Sequence, residues 1–324
     1  AGDMRPCHLV SGAAVLIDSG APMPLGADAV IPWTDTDRGE SRVCIYRAVA
    51  AGDNVRRRAE DVRSGTTVLK RGSRVSARQV ALLAGLGLHR VRVHPAPRVV
   101  VVSIGDELVE PGQSREAGDV FDANGHALAC AVTDAGGQAF RVAAVPDELR
   151  ALAETIEDQL VRADVLITTG GLSVGQGETV KEVLAPLGSV RFDAVAMSPG
   201  RQLGVGTVEG TPIFCLPGDP VSAQIAFETF VRPVLRQIAG RTSLHRSSLA
   251  ATMSEGWHSP IGKREFVPVH VSGSPTRGYR AEPTAPPGTV RLHGLSEANA
   301  IAVVPEDTST VVAGDTLHCL LLDS

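Results

Sequence analysis

The 324-residue sequence has few aromatic residues and no excess of basic charge. It contains 2 Trp, 2 Tyr and 7 Phe, and its formal net charge at pH 7 is −5. Proteins that bind nucleic acid use a basic field for the phosphates and aromatic faces for the bases. This composition supplies neither, so it argues against a nucleic-acid partner.

Cysteine is sparse and scattered, with an odd total of five and no C-x-x-C pair. This pattern is typical of reduced thiols in a cytoplasmic protein and argues against a disulfide framework or a zinc ribbon. We expect each cysteine to be a small buried side chain. The five are Cys7, Cys44, Cys130, Cys215 and Cys319.

Long apolar runs are also absent. The valine run in Arg98–Ser103 is far shorter than the ~20 residues that cross a bilayer, and no signal-peptide pattern opens the chain. We therefore expect a soluble protein with no membrane association and a cytoplasmic location.

Strands and helices alternate between residues 98 and 239. The four consecutive valines at 99–102 indicate a strand buried on both faces. Such alternation predicts a doubly wound, mostly parallel sheet with helices on both sides. The expected strands are 99–102, 139–145, 164–168, 190–195 and 211–216, and the expected helices are 122–135, 146–160, 179–187 and 220–239.

The two ends of the chain have other patterns. Residues 1–95 are rich in Gly, Pro and Arg and show only short alternating stretches. After Gly240 the helical period disappears, and short strands such as 266–271 and 300–304 are separated by turn residues. This predicts a small β-barrel or sandwich over residues 245–324. At ~150 residues per domain, the length allows two domains, or three when one is small.

Three loops should carry the function, because ligands of open parallel sheets bind beyond the carboxyl ends of the strands. The first places adjacent carboxylates after a buried strand, the second is glycine-rich and leads into a helix, and the third precedes a helix. Each also has a purely structural interpretation as a cap or a turn; Asp219 and Pro220 fit the N-cap and first residue of a helix. The loops are Ser103-Ile-Gly-Asp-Glu-Leu108, Thr168-Thr-Gly-Gly-Leu-Ser-Val-Gly-Gln-Gly-Glu178 and Leu216-Pro-Gly-Asp-Pro-Val-Ser222.

These motifs, together with Ser198-Pro-Gly200, occur in the order found in the MoeA/gephyrin family of molybdopterin molybdenumtransferases, which the whole chain resembles. Outside the sheet, the segments that begin at Ser19, Asp53 and Ser296 resemble the TGAP, NIRRRGED and SxANG segments of that family. The resemblance implies an elongated β-rich and dimerisation region at 1–95, a molybdopterin-binding α/β domain at 96–243 and a β-barrel at 244–324. The family's SMDGYA-type segment and first dimerisation helix would precede Ala1.

The resemblance also implies an activity. Enzymes of the family take adenylylated molybdopterin and molybdate, insert the metal at the pterin dithiolene and release AMP. Cleavage of the phosphoanhydride needs a divalent cation, usually Mg²⁺, held by carboxylates. The implied catalytic carboxylates are Asp61, Asp106, Glu107 and Glu178, with Mg²⁺ on Glu107 and Glu178 and with Asp61 contributed by the partner subunit of a homodimer.

The implied substrate-binding residues depart from the family pattern at several positions. Glu178 stands where the family usually has Asp, Ser198 and Arg201 stand in place of two lysines, and Asp219 replaces Asn. The change at Ser198 removes one lysine and the change at Asp219 adds one carboxylate. Together they lower the local charge by two units. The barrel cations able to restore it are Lys263, Arg264 and Arg291. The implied set is Ser19, Gly170, Gly171, Ser173, Gly175, Ser198, Arg201, Pro217, Gly218, Asp219 and Ser222.

Two alternatives stay open on the sequence. A specialised paralogue could bind molybdopterin as a carrier or scaffold without inserting molybdenum, and the departures at Ser198 and Asp219 keep this hypothesis open. A molybdopterin adenylyltransferase would share the α/β domain, but that family lacks the barrel and the Arg56-Arg-Arg58 segment. The further partners expected are molybdopterin adenylyltransferase or acceptor molybdoenzymes.

Overall fold

The computed structural model describes residues 8–172 and 179–322 of the chain. Contacts divide the chain into two units, Ala1–Lys70 and Arg71–Ser324. In residues 8–70, regular structure is limited to isolated bridges and the 3₁₀ turn Trp33–Asp35. Turns there are held by backbone bonds and by the Asn54 amide, which donates to the Val30 carbonyl at 2.8 Å.

The second unit contains the regular secondary structure. Its elements up to the end of the α/β part are α1 (Ala77–Gly85), β1 (Arg98–Ser103), β2 (Leu108–Val109), β3 (Val120–Phe121), α2 (Ala123–Ala135), β4 (Gln138–Arg141), α3 (Leu149–Leu160), β5 (Val165–Thr169), α4 (Thr179–Leu187), β6 (Gly188–Ala194), β7 (Met197–Ser198), β8 (Gln202–Val208), β9 (Thr211–Leu216), α5 (Pro220–Ala226) and α6 (Arg232–Ile238). The barrel part contains β10 (Ser248–Met253), β11 (Trp257–His258), β12 (Arg264–Ser274), β13 (Gly278–Pro283), α7 (Leu292–Glu297), β14 (Ala300–Val304), β15 (Thr310–Val311) and β16 (Thr316–Leu321).

A six-stranded sheet in the order β4-β1-β5-β9-β8-β6 forms the centre of the α/β part. The first four strands are parallel, and β8 and β6 run antiparallel to them. The predicted mostly parallel sheet is confirmed, with β8 as an additional strand. Expected strand 139–145 is shorter, because from Val142 the chain only follows β1 through separate bonds, such as Val145 N to Ser103 O at 2.9 Å.

The valines of β1 divide the core between the two faces of the sheet. Val99 and Val101 pack with α2, α5 and α6, whereas Val100 and Val102 pack with α3 and α4. All four are fully buried, as the continuous β-branched run predicts. Helix α2 therefore lies on one face and α3 on the other.

The expected helix 220–239 is interrupted. Between α5 and α6, residues Phe227–Val231 form a π-helical turn. Pro233 follows at the start of α6, where it offers no N–H to the carbonyl of Thr229 and would clash with it in a regular α-helix. A locally wider turn accommodates this proline.

Five strands close the predicted barrel, since β12-β13-β10-β16-β14 pair in sequence and β14 returns to β12. The barrel packs on α5 through an apolar cluster that we call the barrel seam, made by Met197, Val221, Ile225, Phe266 and Ile301. Strand β7 also pairs with β12, which ties the loop after β6 to the barrel.

The expectation that each cysteine is buried is only partly correct. Cys215 and Cys319 are buried, whereas Cys44 and Cys130 are exposed, and all four are free thiols. Cys7 lies outside the described residues. Among the described residues, no helix is both long and apolar enough to span a bilayer.

Candidate active site at the carboxyl ends of the parallel strands

The chain reverses its winding direction between β1 and β5. It leaves β1 through α2 on one face and reaches β5 through α3 on the other face. Where two such connections diverge, they leave a crevice beyond the carboxyl ends of the strands, and ligands bind there in open α/β sheets. The three loops singled out in the sequence follow β1, β5 and β9, so the topology brings their starts to this edge.

Glycines bring the backbones of these loops into direct contact. Gly170 has φ 92°, and a Cβ on it would lie 2.2 Å from the carbonyl oxygen of Ile104. A Cβ on Gly218 would lie 3.5 Å from the Cα of Gly170. The loops after β1, β5 and β9 therefore pack backbone against backbone, which only glycine allows at Gly170.

A single side-chain amide links the loops after β5 and β9. Asn124 Nδ2, in the first turn of α2, donates to Thr169 Oγ1 at 2.9 Å and to the Gly218 carbonyl at 2.7 Å. Thr169 Oγ1 in turn donates to the Pro217 carbonyl at 2.8 Å. Sequence reasoning missed Asn124, although its place two residues after the α2 cap, Asp122, is a position that faces the strand ends.

The loop after β1 carries the two adjacent carboxylates. Asp106 Oδ1 accepts from the backbone N–H of Asp147 at 3.0 Å, which connects this loop to the loop after β4. Glu107 is exposed, and its carboxylate folds over Gly105, where a Cβ would come within 2.7 Å of Oε2. Both side chains therefore present oxygens at the strand-end edge of the sheet.

The start of α5 has the capped geometry that the sequence predicts. Asp219 Oδ1 accepts from the Ser222 N–H at 2.8 Å, and Pro220 is the first helical residue. A Cβ on Gly200 would lie 3.1 Å from the Ser222 carbonyl, so the turn after Ser198 lies against the first turn of α5. Asp219 is thus first a helix cap, with one carboxylate oxygen engaged.

Of the three candidate barrel cations, Lys263, Arg264 and Arg291, it is Arg291 that lies at a pocket together with Ser198. This small pocket between the α/β part and the barrel is lined by Ser198, Val221, Thr289 and Arg291 among others. Arg264 instead pairs with the Glu306 carboxylate at 2.9 Å. Arg201 is exposed, and its carbonyl accepts from Val195 N.

A charged cluster holds the N-terminal end of α2 in place. Asp122 is 1% exposed; its Oδ1 accepts from Ser103 Oγ at 2.9 Å and from the Gly125 N–H at 2.8 Å. Arg141 contacts Asp122 at 3.2 Å and binds Glu110 through two bonds of 2.7 and 2.8 Å. These bonds lower the pKa of Glu110 and raise the pKa of Arg141.

Arg141→Leu should destabilise the protein by about 2 kcal/mol, because the buried carboxylate of Asp122 loses its cation. The matched change Arg150→Leu removes an exposed i,i+4 pair with Glu154 and should cost less than about 0.5 kcal/mol. Urea unfolding at pH 7 measures both. Equal effects would contradict the role of Arg141.

The difference in the free energy of unfolding between the native protein and Arg141→Leu should change with pH in one direction. Glu110 has a lowered pKa in the fold, so its pairing with Arg141 stabilises the protein above the ordinary carboxyl pKa. The difference between the native protein and Arg141→Leu should therefore shrink as the pH falls through the pKa of folded Glu110. A difference that grows on acidification would contradict this pairing.

The remaining candidate residues divide into two groups. Ser19 and Asp61 lie in exposed turns of the first unit. Ser173, Gly175 and Glu178 lie outside the described residues. Within residues 8–172 and 179–322, no group of three His, Cys, Asp or Glu side chains is close enough to hold a metal ion together.

Known family patterns match three consecutive parts of the chain. The MoeA N-terminal region (domain I and II) matches residues 1–87, a probable molybdopterin binding domain matches 100–237, and the MoeA C-terminal region (domain IV) matches 250–322. Molybdopterin molybdenumtransferase 2 of Mycobacterium tuberculosis is 39% identical over 311 residues, which cover 93% of this chain and 75% of that protein. The chain belongs to the MoeA family of molybdopterin molybdenumtransferases.

Other proteins of the MoeA family are also similar to this chain over nearly its whole length. The molybdopterin molybdenumtransferase of a Nostoc species is 32% identical over 329 residues, or 99% of this chain and 75% of the relative. The crystal structure of the molybdopterin biosynthesis MoeA protein from Pyrococcus horikoshii superimposes with a TM-score of 0.80 at 26% identity, over 99% of this chain and 78% of that one. The family and fold expected from the motifs are confirmed. Enzymes of the MoeA family are transferases that insert molybdenum into molybdopterin.

Proposed function

We propose that this chain inserts molybdenum from molybdate into adenylylated molybdopterin and hydrolyses the adenylate to AMP. The observation that carries the proposal is the convergence of the loops after β1, β5 and β9, where Asn124 joins the glycine turns and two carboxylates lie at the edge of the sheet. Family membership supplies the substrate class. The proposed enzyme is a cytoplasmic homodimer, in which Asp61 of the partner subunit completes the catalytic carboxylates.

The carboxylates after β1 fit a magnesium ion. Mg²⁺ in phosphate-transferring sites is held by one or two carboxylates, by substrate phosphates and by waters, so it needs no cluster of three protein ligands. Glu107 and Glu178 would hold the ion, with Asp106 beside them. When bound, Mg²⁺ would neutralise the phosphate charge and make AMP a better leaving group.

Molybdate binding is proposed for the pocket side of α5. Ser198 lines the pocket, Ser222 lies in the first turn of α5, whose backbone contacts Gly200, and Arg201 and Arg291 offer guanidinium groups that can donate two bonds to one oxyanion. Asp219 opposes an anion here by its charge. Because one of its oxygens caps Ser222, its carboxylate stays close to the helix start.

The carrier alternative is supported by the same acidic residue. A carboxylate beside the molybdate pocket, with one cation fewer than the family pattern, would weaken oxyanion binding more than pterin binding. Such a protein would bind molybdopterin and its adenylate without turnover.

A measurement of AMP release distinguishes the proposed enzyme from the carrier. Purified protein is incubated with adenylylated molybdopterin and Mg²⁺, with and without molybdate, and AMP is quantified by chromatography. The enzyme should release AMP when molybdate is present, and EDTA should stop the release. A carrier would bind the substrate but release no AMP under any of these conditions.

A further inference from the structure

A nearly buried carboxylate lies at the turn between α5 and α6. Glu228 belongs to the π-helical segment Phe227–Val231, and its side chain is 10% exposed. Its two oxygens accept from Nε and Nη2 of Arg246, each at 2.8 Å. Arg232 Nε lies 3.5 Å from the same carboxylate. A forked pair of this kind fixes the direction of a guanidinium as well as its distance, so Glu228 determines where Arg246 points.

Arg246 connects this carboxylate to the barrel. It lies two residues before β10, and its Nη1 donates to the carbonyl of Leu322, directly after the last barrel strand, β16. Leu322 also packs against the barrel seam. The side chain of Arg246 is 12% exposed, so salt screens its ion pair only weakly. We call Glu228 and Arg246 the barrel clamp, because together they bond the turn after α5 to the end of the barrel.

The barrel clamp adds direction to a contact that is otherwise mostly apolar. Val221 and Ile225 of α5 contribute to the seam, and Glu228 follows Ile225 by three residues. Apolar contacts are non-directional, so the seam holds the barrel against α5 without specifying one rotation. The short pairing of β7 with β12 is a polar contact beside Ser198. A barrel bonded there alone could turn about that point, and the clamp supplies the second polar contact that prevents this.

The rotation of the barrel affects the pocket between the two parts. Ser198 and Val221 line the pocket from the α/β part, whereas Thr289 and Arg291 line it from the barrel. A turn of the barrel would therefore move Arg291 relative to Ser198. The loops after β1, β5 and β9 would stay in place, because the bonds of Asn124 that join two of them lie within the α/β part.

We propose that Glu228 and Arg246 are positioning residues for molybdate, because the barrel clamp sets the separation of Arg291 from Ser198. The proposal rests on the proposed function, since it takes molybdate as the ligand of this pocket. It assigns part of the affinity for the oxyanion to two residues that do not line the pocket. The clamp should have no such effect on adenylylated molybdopterin, whose proposed site lies at the strand ends.

Arg246→Lys is the first variant of the test. Lysine keeps the charge beside Glu228 but lacks the planar fork, so it cannot hold both carboxylate oxygens and the Leu322 carbonyl in one geometry. The KM for molybdate in AMP release should rise about tenfold, because small displacements of a binding group have large effects. The kcat and the KM for adenylylated molybdopterin should stay within about twofold of the native values. Calorimetric titration with molybdate alone should show the same loss of affinity.

Two further variants frame this result. Glu228→Gln removes the charge from the other side of the clamp and should also raise the KM for molybdate by about tenfold or more. Arg98→Lys is the matched control. Arg98 binds Asp164 through Nε at 3.1 Å and Nη2 at 2.9 Å, a fork of the same kind that lies within the α/β part. This control should leave the KM of both substrates unchanged within about twofold.

A double-mutant cycle tests whether the clamp acts through Arg291. In a protein that already carries Arg291→Gln, the added change Arg246→Lys should alter the affinity for molybdate by less than about twofold. Residues that act independently would instead give the same fold-change in both backgrounds. Chemical denaturation of each variant confirms that the folded protein is being compared.

Four outcomes would contradict the proposal. The first is an unchanged affinity for molybdate in both Arg246→Lys and Glu228→Gln, and the second is an equal rise in the KM of both substrates. The third is a full effect of Arg246→Lys in the Arg291→Gln background. The fourth is a native protein that does not bind molybdate. A native protein that binds molybdate but releases no AMP would refute the proposed reaction, and the calorimetric comparison would then decide the role of the clamp alone.

Discussion

Gly170→Ala should abolish AMP release and destabilise the protein by at least about 3 kcal/mol. An alanine at φ 92° is strained, and its Cβ would lie 2.2 Å from the Ile104 carbonyl oxygen. Ile104 cannot move aside, because it is buried and its N–H donates to the Thr169 carbonyl at 2.9 Å. The substitution must therefore separate the ends of β1 and β5.

Gly210→Ala is the matched control for this prediction. Gly210 also has a positive φ, 82°, but a Cβ there meets nothing within 4 Å. This variant should cost about 1 kcal/mol and keep its activity. Chemical denaturation and AMP release are measured on both proteins. If the two variants behave alike, backbone strain alone would explain the effect and the close contact at Ile104 would be irrelevant.

Glu107→Gln should lower AMP release by about a hundredfold or more while leaving the free energy of unfolding unchanged within about 0.5 kcal/mol. The substitution keeps the shape of an exposed side chain and removes the charge proposed to hold Mg²⁺. The rate is measured over a range of Mg²⁺ concentrations, and part of the loss should be recovered at high concentration.

The comparison for Glu107 is Glu157→Gln, which neutralises an exposed carboxylate on α3. It should leave the rate and its Mg²⁺ dependence unchanged. Full activity of Glu107→Gln at all Mg²⁺ concentrations would remove Glu107 from the site and shift the proposed metal ligation to other carboxylates.

Local patterns predicted most of the sheet domain. Helix α4 and strand β9 have the bounds expected from the sequence, and α2 differs by one residue. Strand β8 was missed because Gly204 and Gly206 interrupt the pattern of side chains. The structure explains these glycines: a Cβ on Gly206 would lie 2.0 Å from the Ser189 carbonyl on β6. Glycine here serves the close approach of two strands, which the order of residues alone does not show.

The site could be predicted only where its geometry is local. The capping of Ser222 by Asp219 depends on residues three apart and was expected. The bonds of Asn124 join it to positions 45 and 94 residues away, and Arg141 reaches Glu110 across 31 residues. Such contacts follow from the winding of the sheet, so they appear only when the fold is known.

Because the barrel packs on α5 through the barrel seam, barrel residues form one side of the pocket that Ser198 and Arg291 line. Val221 and Ile225 face the barrel from the same helix whose first turn contacts Gly200 and carries Ser222. A sheet domain cut off after Gly240 would keep both halves of its own core but expose this apolar strip to water. The helix that begins at the proposed site would then pack on one side only, so we expect truncation to change the stability of the domain and the proposed substrate site together.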